Sequence, residues 1–154
     1  MNKRAIDHSL GFSATGGIRI APPVKVFSRP LEEGRVLLVS APIHVVSEAN
    51  RREHHMAKAR RVKAQRSAAA MVCRTSFGAP PGPPLLIRLT RFAPRKLDSD
   101  NLAGAFKAIR DGIADWLGIN DGDERLRWDY AQAPADPKVY AIRIELSRLT
   151  EALC

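Results

Sequence analysis

Two pairs of aspartates stand at i, i+2 spacing in the second half of this 154-residue chain: Asp98 with Asp100, and Asp121 with Asp123. Alternate residues of extended backbone point to the same side, so each pair aims two carboxylates one way. That arrangement is costly unless a cation lies between them, and hard oxygen donors suit Mg²⁺, with Mn²⁺ as a substitute. Each pair also has an ordinary reading. Asp, Ser and Asn are what helix starts prefer, and Asp-Gly is a common turn dipeptide. The helix expected between the pairs would be about 24 Å long. They meet only if the later loop packs back beside the helix start, or if another strand carries it there. An EF-hand is excluded, because Ala103 and Ile109 occupy the positions that need glycine and glutamate. Lys107 and Asp111, at i, i+4, suit either a surface ion pair worth about 0.3 kcal/mol or a lysine that neutralises a phosphate.

The elements that must carry these residues can be read from periodicity. Val36–Val39 is β-rich, and Pro42 after it argues for an edge strand or a break. Ser47 is placed to cap a helix over residues 48–73, rich in alanine. Gly78 to Pro84 is a stiff connector. Leu85, Ile87 and Leu89 alternate with Leu86, Arg88 and Thr90, which predicts a strand from Leu85 to Phe92. Leu102, Phe106, Ile109, Ile113, Trp116 and Leu117 form an apolar stripe of helical period over 101–117. Asp100 or Asn101 suits its cap and Gly118 its end. Leu126, Trp128 and Tyr130 alternate as a strand, Ala133 to Pro137 reads as a turn, and Ile142, Ile144 and Leu146 mark the last strand. These last two strands are close enough for a hairpin. The order β-α-β-α-β-β predicts one α+β domain, a two-layer α/β sandwich with a mixed sheet of about four strands and two main helices. Trp116, Trp128, Phe106 and Tyr140 are available as large core residues. Residues 1–35 carry little pattern and read as an arm of uncertain order, in which Ile18, Ile20, Val24 and Val26 suit a short hairpin. Residues 149–154 read as a tail.

Charge sets the class of partner. Twenty-five Lys and Arg against 16 Asp and Glu leave a net charge of +9, a surplus that fits a polyanion such as nucleic acid. Residues 51–66 hold Arg51, Arg52, Lys58, Arg60, Arg61, Lys63 and Arg66 against Glu53 alone. The usual reading of such a helix is a solvated face. Its functional reading is contact with DNA phosphates, which gives affinity without sequence choice. Arg88, Arg91, Arg95 and Lys96 flank the first acidic pair. The two cysteines, Cys73 and Cys154, form neither a disulfide framework nor a zinc spacing, so a reducing, cytoplasmic compartment is expected. No stretch approaches the roughly 18 apolar residues of a membrane helix, and no apolar segment follows Lys3 and Arg4, so no secretory signal is expected.

The run Lys96-Leu-Asp-Ser-Asp-Asn-Leu102, then Phe106-Lys-Ala-Ile-Arg-Asp111-Gly-Ile, then Gly118-Ile-Asn-Asp-Gly-Asp123 resembles the RusA family of Holliday junction resolvases. The resemblance spans residues 36–148, with its specific part at 96–130. It implies a compact homodimer that binds branched DNA such as four-way junctions and resolves them by paired, Mg²⁺-dependent phosphodiester cuts. By matching positions it gives Asp98 and Asp100 metal-binding roles and places the later aspartate at Asp123 or Asp121. Lys107 takes the family's lysine after a short insertion. Residues 36–148 would then be the nuclease domain, with Asp98, Asp100, Asp123 and Lys107 catalytic, and Asp98, Asp100, Asp121 and Asp123 as metal ligands. Arg51, Arg52, Lys58, Arg60, Arg61, Lys63, Arg95 and Lys96 would be the DNA contacts. Two other readings fit the same residues: a catalytically inactive basic nucleic-acid-binding protein of phage origin, and a phosphohydrolase of small phosphates, against which the basic surplus argues.

Overall fold

The computed structural model describes residues 34–49 and 51–149. The expected N-terminal hairpin at Ile18–Val26 and most of the C-terminal tail lie outside them. Seven elements follow in order: β1 (Val36–Ala41), α1 (His55–Phe77), β2 (Leu85–Ala93), α2 (Ser99–Ala105), α3 (Lys107–Leu117), β3 (Leu126–Pro134) and β4 (Ala141–Arg148). The four strands form one mixed sheet in the order β1-β4-β2-β3. This is the α+β class that the alternation of strand and helix patterns predicts.

β1 is an edge strand, and Pro42 directly follows its end, where a missing N–H breaks no ladder. β4 pairs antiparallel with both β1 and β2, while β2 and β3 pair in parallel. A parallel pair needs a crossover, here supplied by α2 and α3. The expected hairpin between the last two strands does not form, because β2 lies between β3 and β4. Burial explains the choice. Ile142, Ile144 and Leu146 are fully buried and take a central position, whereas most of β3 is only half-buried and takes the edge. β3 also runs on to Pro134, through part of the expected turn.

One face of the sheet is apolar. Leu37, Val39, Ile87, Leu89, Ile144 and Leu146 meet there in register, with Trp128 and Tyr130 beside them on β3. The helices cover this face. The stripe Leu102, Phe106, Ile109, Ile113 and Trp116 is buried as its spacing predicts, and Leu117 packs at its margin. Tyr140, expected as a core residue, is instead 36% exposed.

The second helical segment is not one rod. Phe106, at φ −87° and ψ −2°, separates α2 from α3, and its N–H is shared between the carbonyls of Leu102 (3.3 Å) and Ala103 (3.2 Å). The buried Phe106 ring packs on Tyr130 at 5.8 Å between centroids, so packing compensates the tightened turn. Its cap is Asp98 rather than Asp100 or Asn101. Gly118 ends α3 at φ 71°, in the left-handed region that favours glycine.

α1 starts at His55, not after Ser47, and is capped by His54, whose Nδ1 accepts from the Met56 N–H at 3.4 Å. The acidic residues before it fold onto Arg61 instead of extending the helix. Its buried stripe, Gln65, Ala69, Cys73 and Phe77, recurs every fourth residue. Ala69 in that stripe and Gly112 on α3 let the two helices approach closely: a Cβ on Gly112 would lie 2.2 Å from the Arg66 carbonyl oxygen. α1 continues to Phe77, which packs on Trp116 at 5.7 Å.

Candidate active site

The acidic loop after β2 is held by two side chains that are partners in the β2–β3 register, Arg91 and Gln132. The Gln132 amide clamps Leu97 from both sides: its Nε2 donates to the Leu97 carbonyl at 2.6 Å and its Oε1 accepts from the Leu97 N–H at 2.9 Å. Arg91, only 6% exposed, donates to the Arg95 carbonyl at 2.7 Å and to the Val45 carbonyl at 3.4 Å. Asp98 then caps α2, its Oδ1 accepting from the Asn101 N–H at 3.2 Å. The Ser47 hydroxyl donates to Asn101 Oδ1 at 3.1 Å, which ties the segment after β1 to the same helix start. Asp98 and Asp100 are both exposed on this fixed turn.

The second acidic turn packs back along α3. Asn120 Oδ1 accepts from the Gly122 N–H at 2.8 Å and tightens the loop. The Trp128 indole donates to the Asp121 carbonyl at 2.9 Å. Asp121 Oδ2 accepts from Lys107 Nζ at 3.1 Å and from Arg110 at 3.0 Å, while Lys107 Nζ also donates to Asp111 Oδ1 at 2.6 Å. One ammonium therefore joins carboxylates ten residues apart in sequence. Arg110 holds the group together from below. It lies over the Trp128 ring at 5.0 Å and donates to the Tyr130 hydroxyl at 3.1 Å.

Asp123 is placed differently. Both of its oxygens are taken by Arg125, at 2.9 and 2.7 Å, and Oδ1 also accepts the Arg125 N–H. Of the two candidates for the later aspartate, Asp121 is the one that the fold brings to Lys107. Hydrogen bonding with Lys107 keeps the Asp121 carboxyl below the usual carboxylate range. Arg125 pushes that of Asp123 down to about 2. Hydrogen bonding to Asp111 and Asp121 holds the Lys107 ammonium above the usual lysine value.

Asp100 and Gly104 stand at i, i+4 on α2, and Lys107 and Asp111 at i, i+4 on α3. A Cβ on Gly104 would meet nothing within 4 Å. Among the described residues no three His, Cys, Asp or Glu side chains converge as a set able to hold a metal ion. The four aspartates first singled out therefore do not form one preassembled cluster. Mg²⁺, however, keeps several waters and takes only one or two carboxylates besides substrate phosphate oxygens. Asp111 and Asp121, already arranged around one cation, fit that smaller requirement; Asp98 and Asp100, about three helical turns before Asp111, do not converge with them.

The expected phosphate contacts divide into two groups. Arg61 is held by Glu48 at 2.8 Å and Glu53 at 2.9 Å, with its side chain 16% exposed. Lys58 faces Glu48 at 3.0 Å, and Arg51 faces Glu53 at 3.4 Å. These three build the approach to α1 and are partly neutralised. Arg52, Arg60, Lys63, Arg95 and Lys96 are exposed. Sequence reading missed Arg110 and Gln132. Arg110 follows Lys107 at i+3, a usable signal, whereas the partner of Gln132 lies 35 residues away.

No protein-family model matches the chain, and no curated protein matches it. No helix among the described residues is long and apolar enough to cross a membrane.

Proposed function

We propose that the protein is a Mg²⁺-dependent endodeoxyribonuclease that resolves four-way junctions or related branched DNA by paired cuts, acting as a homodimer in the cytoplasm. The observation that carries this reading is the Lys107 bridge between Asp111 and Asp121, which puts two carboxylates from separate segments around one cation in a protein of net charge +9. The RusA-like run over 96–123 supports the same chemistry. Asp111 and Asp121 would hold the ion, while Asp98 and Asp100, which do not converge with them among the described residues, would offer oxygen donors to a second ion at the helix start. Bound Mg²⁺ supplies a polarised water and offsets the charge that grows on the phosphoryl oxygens.

The chain's own groups do the remainder. Water adds to phosphorus, giving up a proton to solvent, and the bond to the 3′ oxygen breaks, that oxygen taking a proton from solvent to leave as the hydroxyl. Lys107 and Arg110 stand beside Asp121 to meet the charge of the scissile phosphate. The Gln132 and Arg91 anchors keep the Asp98–Asp100 turn from shifting as DNA is engaged. The exposed cations Arg60, Lys63, Arg95 and Lys96 hold backbone phosphates and give affinity without sequence choice. Two symmetric cuts match the two-fold symmetry of a dimer.

The second reading is a catalytically inactive DNA-binding protein, favoured by the lack of a three-carboxylate set among the described residues. The two separate in one assay. A labelled synthetic four-way junction is incubated with Mg²⁺, with Mn²⁺, and with EDTA, beside a linear duplex of the same sequence. Metal-dependent cuts in opposed strands of the junction are expected. Tight junction binding with no cutting in either metal overturns the nuclease reading.

A further inference from the structure

Two exposed aromatic rings stack at the end of the sheet from which the first acidic turn leaves. His44 and Tyr140 stack at 3.8 Å between ring centroids with 24° between their planes, and both residues are exposed. They come from opposite ends of the described chain, His44 after β1 and Tyr140 just before β4. Neither position is loose. The Gln65 amide, on a buried residue of α1, donates to the His44 carbonyl at 2.7 Å, and Val45 beside it is 2% exposed. Tyr140 precedes Ala141, which is buried and pairs with Phe92. The Arg91 guanidinium links this platform to the acidic turn, since it touches the carbonyls of both Val45 and Arg95.

We propose that the His44–Tyr140 stack is a seat for an unpaired nucleobase, at the sheet end from which the Asp98–Asp100 turn leaves. The inference rests on the nucleic-acid reading above and adds a ligand class to it. Aromatic faces accept bases of any identity, because every base presents a π-face. Branched DNA offers such bases where a branch carries a single-stranded segment. Partial desolvation, together with the neighbouring Arg91 and Arg51, holds the His44 imidazole below its usual pKa. Arg51, Arg95 and Lys96 stand close along the chain to His44 and the acidic turn, and would hold the phosphates on either side of a seated base.

The test compares two short single strands of equal phosphate number, one of deoxythymidine and one abasic throughout, binding the full-length protein in EDTA. The deoxythymidine strand is expected to bind about tenfold tighter. Tyr140→Leu should remove that preference while Tyr140→Phe keeps it. Because Tyr140 is exposed, neither substitution should change the melting temperature. Equal binding of the two strands by the unaltered protein, or a preference that survives Tyr140→Leu, overturns the proposal. Metal-dependent junction cutting is followed in parallel. A protein that cuts junctions yet ignores bases loses the platform and keeps the nuclease reading; a protein that binds neither strand nor junction loses both.

Discussion

Lys107 Nζ reaches Asp121 Oδ2 across 3.1 Å, and this contact sets Asp121 apart from the other aspartate of the second turn. Asp123, two residues later, spends its charge on Arg125. Asp121→Asn should therefore lower metal-dependent junction cutting by at least about a hundredfold, while Asp123→Asn leaves it nearly unchanged. Asp100→Asn should also abolish cutting yet preserve or tighten junction binding, since it removes negative charge near a phosphate. Cleavage rates and electrophoretic binding of the same junction measure both effects. Equal losses in the Asp121 and Asp123 variants would remove Asp121 from its assigned role.

The acid limb of stability follows from the same carboxylates. Lys107 lowers the Asp121 pKa and Arg66 lowers that of Asp115, while Arg125 brings Asp123 from the ordinary 3.8 to about 2. A depressed folded-state pKa means that the unfolded chain binds protons first as pH falls. The stabilisation from Asp123 is thus whole above about pH 4 and drains away toward pH 2. Urea midpoints across this range should fall with acidity, more gently for Asp123→Asn. Because these pairs are exposed, high salt should flatten the dependence. A midpoint that rises on acidification contradicts the assignment.

Two glycines eight residues apart should respond in opposite directions. On α3, a Cβ at Gly112 would meet the Arg66 carbonyl oxygen at 2.2 Å and Ala69 Cβ at 3.0 Å, and a backbone carbonyl inside α1 cannot move aside. Gly112→Ala should cost about 1–3 kcal/mol through overpacking, even against its gain in helix propensity. On α2, Gly104 faces open space, so Gly104→Ala should stabilise by about 0.5–1 kcal/mol. Thermal or urea unfolding of the two variants gives the comparison directly.

Salt dependence should separate the α1 cations that meet no carboxylate among the described residues from the tied ones. Arg60→Ala and Lys63→Ala should each reduce the slope of log affinity against log salt by about 1, with little change in melting temperature. Arg61→Ala should do the reverse, because it strips Glu48 and Glu53 of their shared partner. A full loss of slope in the Arg61 variant would show that its guanidinium meets DNA after all.

The sequence alone determined what short-range spacing controls. The alternation of Leu85, Ile87 and Leu89 and the stripe from Leu102 to Trp116 each declare a buried face, because side-chain direction repeats every two or 3.6 residues. The glycine at 118 marks a helix end for an equally local reason. Capping was legible in kind but not in position. Asp98 and His54 took the roles because Ser47 was drawn to Asn101 and the acidic residues near it to Arg61. The tertiary structure decided everything that depends on contacts through space. It set β2 between β3 and β4, turned Asp121 rather than Asp123 toward Lys107, placed Arg110 on Trp128, and stacked His44 on Tyr140. No periodicity encodes those choices, since each is the outcome of competition among several partners of the same chemical type, settled by which of them the packed sheet and helices bring within a few ångströms.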